Sequence, residues 1–271
     1  MQKSNFHTHT TFSDGHDTVR EMIETALEKG FTALGFSDHS FYLPGSDWCM
    51  SEAGTRENIA AIRRAQEQYK GKIAVYCGIE LDGECERPEN LGYEYDYILS
   101  SVHSIVRRGV ILPIDSSADK QRQIVSELCG GSWSEFAKIY YASLTEHVCR
   151  NKTDIVGHFD LVTKYSLMPE DDDYVRYAID AVHEIMKYVK TFELNTGAIA
   201  RGLRTVPYPP AYVLREIKSL GGRVIITSDC HYRAKLDCWF DEAEAFLTAL
   251  GFAKNEHADL NDVVRDIEIW E

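Results

Sequence analysis

A chain of 271 residues, 44% hydrophobic and 27% charged, has the profile of a globular protein long enough to bury a large core. Its formal net charge of −14 works against polyanions, and its only basic clusters, Arg63-Arg64 and Arg107-Arg108, read as solvated faces or turns, so nucleic acid is not an expected partner. No apolar run approaches the roughly 18 residues that span a membrane and no charged start precedes an apolar stretch, which points to a cytoplasmic protein. The seven cysteines form no C-x-x-C pair and are expected as free thiols.

Near its start, from Asn5, the chain reads "NFHTHTTFSDGH". Alternation in a strand at about Ser4–His7 puts His7 and His9 on one face, where both imidazoles can reach one ion. A helix follows around Thr18–Lys29, with Val19, Met22, Ile23, Ala26 and Leu27 on one face. "ALGFS" is a second strand, Glu52–Tyr69 a helix, and "KIAVYCGIE" a third strand. "YDYILSSVH" is a fourth, followed by a loop containing "GVILPI" and helices to about Cys149. "DIVGH" is a fifth strand, and the next helix carries Val175, Ala178, Ile179, Val182, Ile185 and Met186. "TFELN" is a sixth, ahead of a helix led by Pro209-Pro210, which suits a first turn. "RVIITSD" is the seventh, with a helix near Asp241–Leu250 after it. Seven such alternations read as parallel βα units in one domain over residues 1–271.

Each strand delivers a polar side chain at its C-terminal end: His7 and His9, then Asp38 and His39, Glu80, His103, His158, Asn195, and finally Asp229 with His231. In a closed parallel barrel those ends converge on one face, where active sites are built. Of the ten histidines, only His147, His183 and His257 fall in predicted helices or the tail. Scattered structural histidines have no reason to choose the same end of every strand, so the set points to a metal site. A mixed imidazole and carboxylate site without thiolate suits zinc, iron or manganese alike.

Taken together, "FHTHTTFSDG", "GFSDHS", "GIE", "SSVHSI", "GHFDLV" and "ITSDCH" resemble the polymerase-and-histidinol-phosphatase (PHP) family of metal-dependent phosphoesterases, in order and spacing from about Asn5 to His231. The resemblance implies an α/β fold, a distorted TIM-like (β/α)7 barrel, with three divalent metal ions (Zn, Fe or Mn). It puts one ion on His7, His9, Glu80 and Asp229, and a second on Glu80, His103 and His158. The third falls to His39, His231 and a residue of the "SDGH" turn, where Asp14 is preferred and His16 is left to support a ligand or touch substrate. Two ions about 3.5–4 Å apart lower the pKa of a bridging water and hold the hydroxide in line with phosphorus. In this chain Glu80, Asp229 and His231 would hold that hydroxide, and hydrolysis would need no phospho-enzyme.

The resemblance further implies a small phosphate monoester as substrate, with L-histidinol phosphate leading and a nucleotide or other small phosphate ester as the alternative. Its phosphate calls for cations beyond the metals. Arg201, with Lys164, is the preferred phosphate contact and Arg204 a near competitor, arginine being the better bidentate clamp. Asn195 is placed to contact phosphate or fix a ligand, and Asp160 to orient an imidazole or cap the following helix. For the alcohol, the "SFYLPGSDW" loop offers Tyr42, Asp47 and Trp48. Two other readings are amidohydrolase-like C–N hydrolysis, which fits Glu80 and the "SDCH" ending less well, and a non-catalytic metal binder, which an intact ligand set argues against.

Overall fold

The computed structural model describes residues 3–40, 47–83, 85, 92–107, 109–169 and 171–271. Strand β1 (Ser4–Asn5) is followed by helix α1 (Val19–Glu28), β2 (Ala33–Phe36), α2 (Glu52–Gln68) and β3 (Ala74–Asp82). After β4 (Tyr97–Ser101) come β5 (Ser104–Arg107), β6 (Val110–Pro113), α3 (Ala118–Leu128), α4 (Trp133–Arg150) and β7 (Ile155–Val156). Then α5 (Asp172–Ile185), β8 (Thr191–Asn195), α6 (Gly197–Ala200), α7 (Ala211–Ser219), β9 (Arg223–Thr227) and α8 (Phe240–Ala249) lead to β10 (Lys254–Ala258) and β11 (Ile267–Trp270).

The helices begin where a side chain can satisfy their first free N–H groups. Thr18 and Glu21 form a reciprocal capping box on α1, and Ser51, Ser117, Ser132 and Asp171 cap α2, α3, α4 and α5. Each turns an apolar stripe inward, such as Val19, Met22, Ile23 and Ala26 on α1. These stripes cover the sheet in two large clusters, one around Ile23, Phe36, Ile62 and Leu247, the other around Tyr140, Leu144, Val182 and Phe192.

Seven strands pair in the order β1-β2-β3-β4-β7-β8-β9, all parallel. β2, β4 and β8 are buried along their whole length, as strands covered on both faces must be. The sheet curls until the chain beyond β1 meets the chain beyond β9: Thr8 bridges Cys230 in parallel, with His9 N donating to Cys230 O at 2.9 Å and Cys230 N to His7 O at 3.1 Å. The barrel is thus joined at its C-terminal rim. Inside it, the Tyr97 hydroxyl donates to Phe6 O at 2.8 Å, and its ring lies so close to Gly35 and Gly78 that a Cβ at either would collide with it. This is the distorted seven-stranded barrel that the motif order implies.

Two features differ from the sequence expectation. "GVILPI" is not an open loop: its β6 pairs antiparallel with β5 in a separate two-stranded sheet, and Gly109 at φ 76° takes the left-handed turn. The β-branched run that forms it had no partner in the βα repeat; the hairpin buries Ile105 and Leu112 in the core and leaves Val106, Val110 and Ile111 exposed. The C-terminal tail also adds strands. β11 pairs antiparallel with β9 and carries β10, and Val264, Ile267 and Ile269 pack with Phe6, Tyr97 and Ile225. The polar, edge-strand sequence "KNEHA" of β10 hides this. None of the seven cysteines forms a disulfide.

Candidate metal centre

The rim where the barrel closes gathers His7, His9, Asp14, His39, Glu80, His103, His158, Asp229 and His231. Glu80, at the end of β3 and fully buried, is their hub. Its Oε2 lies 2.9 Å from His39 Nδ1, 3.2 Å from His7 Nε2 and 3.5 Å from His9 Nε2, and its Oε1 lies 3.0 Å from His158 Nε2 and 3.6 Å from His103 Nε2. Asp229 Oδ1 approaches His9 Nε2 at 3.2 Å, His231 Nδ1 at 3.5 Å and His7 Nε2 at 3.6 Å. Asp229 has φ 47°, an uncommon left-handed conformation for an aspartate, and its carbonyl accepts from Arg201 at 3.3 Å. Asp14 Oδ2 takes a hydrogen bond from His231 Nε2 at 3.1 Å and lies 3.7 Å from His39 Nε2. His16 instead points away: it is exposed and stacks on Tyr232 at 4.0 Å between centroids.

Four overlapping groups have ligand atoms within 4.8 Å of one another: His9, Asp14, His39 and His231; His7, His158 and Asp229; His7, His9 and Glu80; and His39, Glu80 and His103. The expected partition is more divided than this, since His7, His9 and His39, each expected at one ion, belong to two groups each, as Glu80 does. The donor atoms themselves supply a test of fit. His7 Nε2, both ring nitrogens of His9, His39 Nδ1, Asp14 Oδ1 and Glu80 Oε2 are buried without a hydrogen-bond partner. So many buried polar atoms left unsatisfied would be costly, and divalent cations would satisfy them together. Nitrogen and oxygen donors alone, converging in this way, fit divalent metal ions.

Three further carboxylates hold the ligands, and the sequence reading missed this function in all of them. Glu193, inside β8, accepts from His7 Nδ1 at 2.8 Å, Thr227 Oγ1 at 2.7 Å, Asn195 Nδ2 at 2.8 Å and the backbone N–H of His158. Asp82 lies 2.8 Å from His103 Nδ1. Asp38 accepts from Thr10 N at 2.7 Å, Ser13 Oγ at 2.6 Å and Asn58 Nδ2 at 2.8 Å, tying down the turn that carries Asp14. The signal was period two: Glu193 precedes Asn195, and Asp82 follows Glu80, on the same strand faces.

Electrostatics match this construction. Burial opposes ionisation of Glu80, but His7, His39 and His103 hold its carboxyl well below the usual range. Burial would lower His39, yet Glu80 and Asp14 raise it to about 10. For His7, Glu193, Glu80 and Asp229 likewise overcome burial and raise it. His9 goes the other way, lowered to about 3 by burial and by the neighbouring His231 and His39.

Beside the cluster opens a cavity of about 520 Å³, lined by Arg201, Lys164, Trp48, Asp115 and the hairpin residues Ile111 and Pro113 as well as ligand residues. Arg201 reaches Asp229 Oδ2 at 2.8 Å, and Lys164 reaches Asp115 Oδ2 at 3.0 Å. Trp48 stands edge-on to His39, Asp47 is exposed, and Tyr42 lies outside the described residues. Asn195 is fully buried, its amide committed to Glu193 and to Gly197 N, so its place is behind the ligands. Arg204, the competing phosphate contact, lies over the Tyr208 ring, bonds Thr163 and stands 3.8 Å from Asp160, while Asp160 Oδ2 accepts from Thr163 Oγ1 at 3.1 Å. His147 is held in α4 by Leu81 O and Asn151, and His183 and His257 pair with Glu216 and Asp266 at the surface.

A parallel barrel with a buried cluster of histidines and carboxylates on its C-terminal rim defines a metal-dependent barrel enzyme. The chain belongs to the PHP domain family, whose model matches residues 5–197. A histidinol-phosphatase of Bacillus subtilis (strain 168) is 25% identical over 253 residues, covering 85% of this chain and 94% of that protein. Among solved structures, a Listeria monocytogenes protein to which histidinol phosphatase activity has been attributed aligns with a TM-score of 0.77 at 20% identity, over 89% of this chain and 99% of that one. A histidinol phosphate phosphatase from Lactococcus lactis, complexed with zinc, L-histidinol and phosphate, aligns with a TM-score of 0.70 at 20% identity, over 93% of this chain and 95% of that one.

Proposed function

We propose that this protein is a phosphomonoesterase that hydrolyses L-histidinol phosphate to L-histidinol and phosphate, a step of histidine biosynthesis, using three divalent metal ions. The observation that carries this reading is the convergence of nine ligand side chains, with their orphaned donor atoms, beside a cavity that also presents Arg201 and Lys164. The Bacillus subtilis relative, matched over nearly its whole length, supports the substrate. His7, His9, Glu80 and Asp229 would hold one ion, Glu80, His103 and His158 a second, and Asp14, His39 and His231 the third. When bound, such ions supply Lewis-acid activation of water and neutralise phosphate charge.

The protein's own side chains do the rest. Glu80, Asp229 and His231 are the side chains that would hold the attacking oxygen. Arg201, anchored on Asp229, offers its guanidinium to the phosphate from the cavity wall, and Lys164 adds a second positive charge. Glu193, Asp82 and Asp38 keep the ligands in place. The whole chain, residues 1–271, acts as a single barrel domain: Arg201, Asp229 and His231 lie beyond residue 197 and stand on the same rim as His7. The acidic surface leaves nucleic acid and membranes without a role. Among the described residues no helix is long and apolar enough to cross a membrane, in keeping with the proposed place in the cytoplasm.

The test is kcat/KM for L-histidinol phosphate beside p-nitrophenyl phosphate and thymidine monophosphate, with metal content measured on the same sample. A preference of several orders of magnitude for L-histidinol phosphate, with three metals per chain, is expected. Comparable rates on all three would remove the proposed substrate, and two metals per chain would remove the third site.

A further inference from the structure

Three carboxylates line the cavity among the described residues, and two of them, Asp14 and Asp229, belong to the metal cluster. The third, Asp115, does not. It follows the β5–β6 hairpin, where Ile114 N donates to His103 O at 2.9 Å, and the Tyr165 hydroxyl donates to the Asp115 carbonyl, so the backbone here is fixed from two sides. Its side chain is 24% exposed and lines the cavity, and among the described residues its ion pair is with Lys164 at 3.0 Å. It lines the cavity together with His103, His158 and Arg201, which sets it beside the metal cluster.

We propose that Asp115 is the specificity-determining residue for the alcohol half of the substrate, receiving the ammonium group while Lys164 turns to the phosphate. This inference rests on the reading that the substrate is L-histidinol phosphate. That molecule carries a phosphate dianion and, on the carbon next to its ester CH2, an ammonium. In the free protein Lys164 and Asp115 neutralise each other. The substrate brings one partner for each, so the one pair between them is exchanged for two and neither side chain in the cavity is left unpaired. A phosphate ester of a neutral alcohol offers Lys164 a new partner and Asp115 none. The cost of that unpaired carboxylate is the discrimination. The ammonium, rather than the imidazole, is the group for Asp115 because it lies within a few bonds of phosphorus, as Asp115 lies near Lys164 and the cluster.

The experiment compares wild type with Asp115→Asn, which keeps the shape, on L-histidinol phosphate and on its deamino analogue, 3-(imidazol-4-yl)propyl phosphate. Metal content and circular dichroism are checked on both proteins. Losing one charge-assisted contact should lower kcat/KM for L-histidinol phosphate about 30–100-fold, mainly through KM, and leave the analogue no worse or raise it, since its bound state no longer strands a carboxylate. Asp115→Glu, which retains the charge, should recover part of the preference if the asparagine variant folds poorly. Equal losses on both substrates, or no loss on L-histidinol phosphate, would overturn the inference while leaving the proposed activity standing. A wild type that does not prefer L-histidinol phosphate over p-nitrophenyl phosphate overturns the activity, and the inference falls with it.

Discussion

His7 turns Nδ1 to Glu193 Oε2 at 2.8 Å, and by doing so presents Nε2 to Glu80 and Asp229. The same carboxylate collects the His158 backbone N–H, the Thr227 hydroxyl and the Asn195 amide, so one buried anion fixes both the tautomer of one ligand and the strand end of another. A neutral amide cannot accept from all four donors, because one of its two ends donates. Glu193→Gln should therefore weaken metal binding about 10–100-fold, read as metal lost on dialysis against a chelator, and lower kcat with it. Metal retention and turnover equal to wild type would show that Glu193 merely fills space.

Asp38 plays the matching part for Asp14. Its contacts to Thr10, Ser13 and Asn58 fasten the turn between His9 and His16 to α2. Asp38→Asn converts an acceptor into a partial donor facing these N–H and O–H groups. The ion proposed for Asp14, His39 and His231 should then be the first to leave, with metal content falling by one per chain while those at Glu80 remain. Ser13→Ala, which removes a single bond near the surface, should give a smaller change in the same direction. If Asp38→Asn keeps a full complement through dialysis, the turn is held by other means.

How much of this was legible in the sequence depends on whether a residue answers to a repeating pattern. The seven strand ends and the ligand types at them follow from one alternation, so His7, His39, Glu80, His103, His158 and Asp229 could be picked out together. The barrel follows from the same count. For Glu193 and Asp82, period two put the carboxylate on the ligand-bearing strand face but not its task, because the imidazole it holds is 186 residues away for Glu193 and 21 for Asp82. Asn195 could not be separated from a phosphate contact until its amide was seen to bond Glu193 and Gly197 N. The β5–β6 hairpin was missed for a related reason: its strands pair only with each other, outside the βα rhythm used to read the rest.

Protonation gives the last test. Without metal, His39 is raised to about 10 by Glu80 and Asp14 against the pull of burial, and His7 is raised as well, so both hold a proton at neutral pH. His9, lowered to about 3, holds none. Metal binding must displace the protons of His39 and His7, while Glu80 is already ionised. Calorimetric titration of the metal-free protein at pH 7.5, in buffers of different ionisation enthalpy, should show net proton release, and apparent affinity should rise as pH is raised toward 10. The sign for stability is opposite. A histidine whose folded pKa lies above its unfolded value contributes stability that is full below the unfolded value near 6.5 and is lost as pH rises through about 10. The metal-free protein should thus lose thermal stability between these limits, and His39→Gln should flatten that decline. Buffer-independent binding heats, or a metal-free Tm that climbs over the same range, would mean that these histidines are neutral before metal arrives.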